Sequence, residues 1–258
     1  MAVTFGRTGD DGRVRRLDYT RRNKNQEHFY YDLSTYNGES TLQDLSGNGH
    51  DMTATGTISY VNGGLGKLSY YNSDSSSDYF GVDTGIIGGS FDPTSTTKPY
   101  DQDFTYSIWA RMNGGGSFQI LLHNGLFSSG VDQSVLFRMN VSSEFNITSQ
   151  IYVGRTNIGA AVTNEPGYGV WSNWVMRRRV SPARMDFFIN NVLDHTSTSS
   201  AAAATIIGDS STMHIGTGVS ATAQYWNGDI GIAHGWYRYL SDEEITAEYN
   251  LFRTRFGV

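Results

Sequence analysis

Apolar and polar positions alternate along most of the chain. In "DFTYSIWARMN", Phe104, Tyr106, Ile108, Ala110 and Met112 share one face, and Thr105, Ser107, Trp109 and Arg111 share the other. That period of two marks a half-buried strand. "GSFQILLHNG" follows after Gly114–Gly116, and the two runs read as a hairpin. "SVLFRMNVSS", "FNITSQIYVGRT", "NWVMRRRV", "ARMDFFINNVL", "STMHIGTG" and "GDIGIAHGWYRYL" continue the series. Met185, Phe187 and Ile189 fall on one face, and Asn190-Asn191 makes a tight turn, since Asn tolerates positive φ. Arg177–Arg179 alternate faces and so cannot all be core. They read as an exposed basic edge that discourages strand-to-strand aggregation, or as a docking contact.

One segment reads as a helix. "LSDEEITAEYNLFRTRF" places Glu244 three residues after Ser241, the capping box in which each side chain satisfies an orphan backbone N–H. Ile245, Tyr249 and Phe252 then recur at i, i+4 and i+7, an apolar stripe for a sheet to cover. Some ten to fourteen strands closed by one terminal helix predict an antiparallel β-sandwich. No interior linker and no internal repeat is visible.

Composition supports a packed core. Aromatic residues make up 13% of the 258 positions and charged residues 17%, the reverse of the balance in disordered chains. The absence of Cys excludes disulfides, Cys-ligated zinc, iron–sulfur clusters and thiol catalysis. The first residues, "MAVTFGRTGDDGRVRRLDYTRRNKNQEH", hold no apolar run or cleavage site and do not read as a signal peptide. No run approaches the roughly 20 apolar residues a bilayer needs. A soluble protein made in a cytoplasm, without a membrane partner, is expected.

Charge divides the chain. Residues 1–27 carry seven basic and four acidic residues, and the remainder carries 12 and 21, within an overall net charge of −6. Residues 1–28 therefore read as a basic arm before an acidic body, residues 29–258. The arm is either a solvated tail or a segment whose Arg13, Arg15, Arg16, Arg21 and Arg22 dock on an acidic partner. No nucleic-acid-binding motif accompanies it, and nucleic acid is not expected as a partner.

Four segments, in order, resemble the laminin-G-like jelly roll of the concanavalin A-like lectin/glucanase superfamily. "LQDLSGNGHDMTATG" at Leu42–Gly56 is similar to the family's D-x-S-G-x-G-N-x-G opening. "FTYSIWARMN" is similar to its F-T-I-S-A-W-V strand. "WSNWVMRRRVSPARMDFFINNVL" resembles the W-x-H-V-A stretch and the following turn, with Asn190-Asn191 in place of Asn-Gly. "WNGDIGIAHGWYRYLSDEEITAEYN" resembles the closing strand and helix. The likeness spans roughly residues 29–256. It implies an all-β antiparallel sandwich, a jelly roll, with one short C-terminal α-helix. The closing "YNLFRTRFG" also resembles such domains in tailed-bacteriophage structural proteins.

The resemblance sets the chemistry to be weighed. The superfamily's glucanases carry paired carboxylates as E-x-D-x-x-E, which retaining hydrolysis needs about 5 Å apart. No such motif occurs; Glu243 and Glu244 belong to the helix's first turn, and Glu144 and Glu165 lack an acid two residues away. Some relatives bind calcium, for which Asp44, Asn48, Asp51 and Asp229 offer oxygen ligands. Against this, Gly231 and Ile232 stand where the family often has an acid pair. A sugar site needs an aromatic platform; Tyr70, Tyr71, Tyr79, Tyr100, Tyr168, Trp171 and Trp226 are candidates, as they are for core positions. "GGLGKLS" lacks the spacing of a phosphate loop. His28, His50, His123, His195, His214 and His234 are scattered, and no G-x-S-x-G elbow occurs.

The expectation is a non-enzymatic virion protein, a jelly roll exposed on a bacteriophage as capsid decoration or tail component. Its arm would join it to neighbouring virion proteins, as a homo-oligomer in the particle. The alternatives are a lectin-like adhesin for host surface glycans and, behind it, a glycan-degrading enzyme.

Overall fold

The computed structural model describes residues 27–36, 38–56, 58, 60–61, 67–70, 78–82, 103–114, 118–124, 135–141, 147–153, 156–157, 166–199, 213–217 and 225–258. The basic arm up to residue 26 lies outside them. The described strands are β1 (Glu27–Asp32), β2 (Thr41–Leu42), β3 (Met52–Thr55), β4 (Tyr60–Val61), β5 (Lys67–Tyr70), β6 (Tyr79–Val82), β7 (Phe104–Met112) and β8 (Phe118–Asn124). They continue as β9 (Val135–Val141), β10 (Ile147–Val153), β11 (Thr156–Asn157), β12 (Trp171–Arg179), β13 (Arg184–Ile189), β14 (Val192–Ser197), β15 (Met213–Ile215) and β16 (Gly228–Trp236). One α-helix, α1, spans Asp242–Phe256. No helix among the described residues is long and apolar enough to cross a membrane.

Two antiparallel sheets make the sandwich. Sheet A runs β14-β13-β12-β7-β16-β5-β4, with β1 also on β16; sheet B runs β11-β10-β9-β8-β15-β6-β3-β2. β7 shows why the sheets close on each other. Its Phe104, Tyr106, Ile108, Ala110 and Met112 enter the inter-sheet core, beside Met185, Phe187 and Ile189 of β13 and Phe80, Leu122, Phe137 and Ile215 of sheet B. The opposite face of sheet A is also apolar, which requires a third layer. α1 supplies it.

The helix packs as its stripe demands. Tyr249, Phe252 and Phe256 meet Trp109, Trp171, Ile232 and Tyr30. Ile245 joins Val175, Phe188 and Trp236. Phe256 stacks on Trp109 with ring centroids 4.6 Å apart. The Ser241–Glu244 capping box forms, and Gly257 ends the helix in the left-handed region at φ 74°. Gly231 faces Phe256 so closely that a Cβ there would sit 2.4 Å from its ring.

Two expectations change. The runs around Gly114–Gly116 are not a hairpin: β7 pairs with β12 and β16, whereas β8 pairs with β9 and β15 in the other sheet. The chain crosses layers there, as a sandwich requires when one strand's neighbours come from elsewhere in sequence. The arginine run is not an exposed edge either. β12 lies between β13 and β7, and Arg177 and Arg178 are buried on opposite faces. The Asn190-Asn191 turn does form, closing the β13–β14 hairpin with both residues at positive φ, 49° and 66°. Strand β1 begins at Glu27, so Glu27 and His28 belong to the sheet.

Candidate functional site

The loop after β2 turns its acids onto the backbone of the loop and of β1. Asp44 Oδ1 accepts the N–H groups of Tyr30 and Ser46, each at 3.0 Å. Its Oδ2 accepts Ser46 Oγ at 2.8 Å and the His50 N–H at 3.1 Å. Asp51 Oδ1 accepts the Asp44 N–H at 2.8 Å, and Asn48 Nδ2 donates to the carbonyls of Glu27 and His28. The loop is thereby sewn to β1. Burial, with Asp44 and Asp51 nearby, holds the Tyr31 phenol well above its usual pKa, and its hydroxyl donates to the His50 carbonyl.

Asp229 is elsewhere. Asp44 is bonded to Tyr30, which faces His234 in β16. Asp229 lies five residues further along that strand, roughly 16 Å at strand rise. Asp44, Asn48 and Asp229 therefore do not converge, and they do not fit a calcium ion. Among the described residues no three His, Asp or Glu side chains are placed to hold a metal.

Asp229 instead belongs to a cluster at one end of sheet A. Trp171, Arg111 and Asp229 stand side by side across β12, β7 and β16. Arg111 Nε donates to Asp229 Oδ2 at 2.6 Å, and Nη2 donates to the same oxygen. The guanidinium carbon lies 5.4 Å from the Trp171 ring centroid, a cation–π distance. Phe256 packs against Trp171 from the helix side at 4.7 Å. The carboxylate of Asp229 is 1% exposed and the Arg111 side chain 31%, so arginine roofs the acid and carries the site's charge to solvent. Among the described residues, Asp229 Oδ1 and Trp171 Nε1 have no hydrogen-bond partner. Beside them, Gly169 N–H donates to the Met112 carbonyl and fixes the Gly167–Val170 turn, whose Val170 is exposed. The arrangement presents the Arg111 guanidinium and Val170 to solvent over a buried indole, suited to binding a hydroxyl-rich or acidic ligand.

The other sequence candidates separate. Trp226 is buried in the core, and Tyr168 packs against it. Tyr79 is half-buried, 4.7 Å from the His214 ring. Burial, with His214 beside it, lowers His123 to about 3. Glu243 and Glu244 occupy the helix's first turn, as expected. Tyr71, Tyr100, Glu144, Glu165 and Arg13, Arg15, Arg16, Arg21 and Arg22 lie outside the described residues, as does the side chain of Tyr70.

Sequence reasoning missed two buried ionic clusters. Asp186 accepts Arg177, Arg184, Thr196 and Tyr239. Burial alone would raise its pKa, but these donors hold it below the usual carboxylate range. Burial and Asp186 push Tyr239 up to about 12. Arg177 also reaches Asp242 at 2.6 Å and the Leu240 carbonyl, tying the helix start to β12. In the second cluster His234 lies between Glu27 and Glu248. Charged residues at strand positions in the sequence were the only signal for either.

Comparison with known proteins agrees with this architecture. Residues 83–246 match the Laminin_G_3 family, described as concanavalin A-like lectin/glucanases superfamily. No curated protein matches the chain. Among solved structures, one of botulinum neurotoxin type C, whose cell entry is described as dependent upon interaction with two ganglioside molecules, superposes with a TM-score of 0.63 at 15% identity, covering 90% of this chain and 52% of that one. The binding domain of botulinum neurotoxin DC with rat synaptotagmin II gives 0.62 at 13%, covering 89% and 52%. The same domain with SialylT gives 0.59 at 16%, covering 89% and 52%. The chain thus spans about half the length of these structures, and the likeness is one of fold.

Proposed function

Because the chain belongs to the concanavalin A-like lectin/glucanases superfamily, we propose that it is a non-catalytic recognition module whose rim binds glycans. The observation that carries this reading is the Arg111–Asp229–Trp171 cluster. A half-exposed guanidinium is held by a buried acid over an indole, so its donors are oriented before any ligand arrives. Toxin domains of the same fold, named for ganglioside and SialylT, lend the reading support. Six described acids have partners of their own, which favours recognition over hydrolysis: Asp186 pairs with arginines, Asp229 with Arg111, Glu27 and Glu248 with His234, and Asp44 and Asp51 bind the loop after β2.

The test is a glycan array with the wild type and Arg111→Ala. A hit of micromolar affinity that weakens at least tenfold in the variant is expected, measured at a temperature where circular dichroism shows the variant folded, because removing Arg111 orphans the buried Asp229 and lowers the melting temperature. No hit from the wild type overturns the reading.

The proposed setting is a larger particle, a bacteriophage virion by the resemblance of the closing segment. There the leading segment, with Arg13, Arg15, Arg16, Arg21 and Arg22, anchors the module to a capsid or tail neighbour. Deletion of residues 1–26, which spares Glu27 in β1, leaves a folded domain that no longer joins the particle. Normal incorporation of the truncated chain overturns the anchoring role.

A further inference from the structure

His234 lies on the helix-covered face of sheet A with a carboxylate at each ring nitrogen. Nδ1 is 2.9 Å from Glu248 Oε1, and Nε2 is 3.3 Å from Glu27 Oε1. All three side chains are buried. A neutral imidazole has one N–H and one lone pair. It would satisfy one carboxylate and turn its lone pair on the other. The imidazolium donates to Glu248 and holds its second N–H 3.3 Å from Glu27 as an ion pair. It also supplies the countercharge without which two buried carboxylates are costly.

Among the described residues, no other charged group is recorded in contact with the ring. Tyr30 of β1 and Trp236 of β16 pack on it, with centroids 4.7 and 3.8 Å away. The residue opposite on β7 is Ser107, which accepts a hydrogen bond from Asn173 of β12, and both are uncharged. Asp32 and Arg255, from β1 and α1, satisfy each other through two bonds of 2.8 and 2.7 Å. Glu27 and Glu248 are the described carboxylates that meet the imidazole, and Tyr30 is the titratable phenol packed on its face.

The three residues come from three elements: Glu27 opens β1, His234 lies in β16 and Glu248 in α1. We propose that Glu27, His234 and Glu248 form a proton-held latch that fastens the first strand to its neighbour and the C-terminal helix, and releases it in alkaline solution. Among the described strands β1 pairs with β16 alone, and residues 1–26 lead directly into it. Together with the Asp44–Asn48 loop and the Asp32–Arg255 pair, the latch therefore contributes to how firmly the leading segment is rooted. Burial would lower the His234 pKa, but the two carboxylates outweigh it and raise the value above 6.5. A raised folded pKa means that the latch contributes fully below about pH 6.5 and loses its contribution as pH rises through the raised value. This inference is independent of the glycan reading.

The experiment uses the full chain labelled at histidine nitrogens. NMR from pH 5 to 9.5 follows the His234 ring, and hydrogen exchange, corrected for intrinsic rates, follows residues 28–32 of β1. Both His234 nitrogens are expected to be protonated at pH 6.5. Protection of β1 is expected to fall at least tenfold by pH 9, beyond any change in β12 amides 174–176. His234→Gln is expected to bring β1 at pH 6.5 to the wild-type level of pH 9. A neutral His234 at pH 6.5, or β1 protection that only tracks β12, overturns the latch. If the variant does not fold, the wild-type titration decides alone.

Discussion

Arg177 keeps its charge inside the protein, and Asp186 makes that tolerable. Both are buried, joined by bonds of 2.9 and 2.8 Å, and a buried ion pair is most damaging when half of it is removed. Asp186→Ala is expected to cost about 3–5 kcal/mol in urea unfolding; a loss below 1 kcal/mol would mean that Asp242 alone suffices. Gly231→Ala forces a Cβ to 2.4 Å from the Phe256 ring, and overpacking of this kind costs about 1–3 kcal/mol. A matching fall in melting temperature checks it. At this scale the sequence shows residue types and hides partnerships. Asp229 and Trp171 stand out as chemical candidates, but the guanidinium joining them comes from β7, which the alternation marks only as a strand. His234 looks like one scattered histidine because its carboxylates arrive from the first strand and the last helix.

Elements with local causes are the legible ones. α1 declares itself through Ser241, Glu244 and its apolar stripe, all within one segment, and each does what its spacing requires. Ser241→Ala removes the cap bond to the Glu244 N–H and is expected to cost about 1 kcal/mol, read as a lower urea midpoint. Phe256→Ala empties the space between Trp109 and Trp171, with an expected loss of about 3–5 kcal/mol. The β13–β14 turn is legible for the same reason, since two Asn residues supply the positive φ locally. The β7–β8 hairpin fails because glycines between two strands say that the chain turns, not which sheet it enters. The arginine run fails because burial of Arg177 depends on Asp186, nine residues on, and on Asp242 beyond.

For the whole molecule, protons bind to opposite effect at two histidines. His123 is lowered to about 3 by burial, so its stabilising effect is present above about pH 6.5 and is lost as pH falls. His234 is raised, so its effect is present below about 6.5 and is lost as pH rises. Asp32, Asp186 and Glu244 are held below the usual carboxylate range against burial by their hydrogen bonds to Arg255, Arg184 and Arg238, respectively, and add a further acid loss below about pH 5. Unfolding free energy is therefore expected to peak near pH 6.5, falling on each side by about 1.4 kcal/mol per pH unit for each linked proton. Urea titrations from pH 4 to 9 check this, and His123→Gln removes one proton from the acid slope. A flat profile would sink both assignments.

β16 is the final strand of the chain, yet it lies inside sheet A, with β7 on one flank and β1 and β5 on the other. A ribosome therefore releases most of the sandwich before its middle exists. Until Trp236 clears the exit tunnel, the emerging polypeptide displays an open gap lined by unpaired backbone, the kind of surface that invites association between nascent chains. Translation stopped at residue 225 should yield insoluble product, while eleven more codons complete the sheet and the next twenty supply its lid.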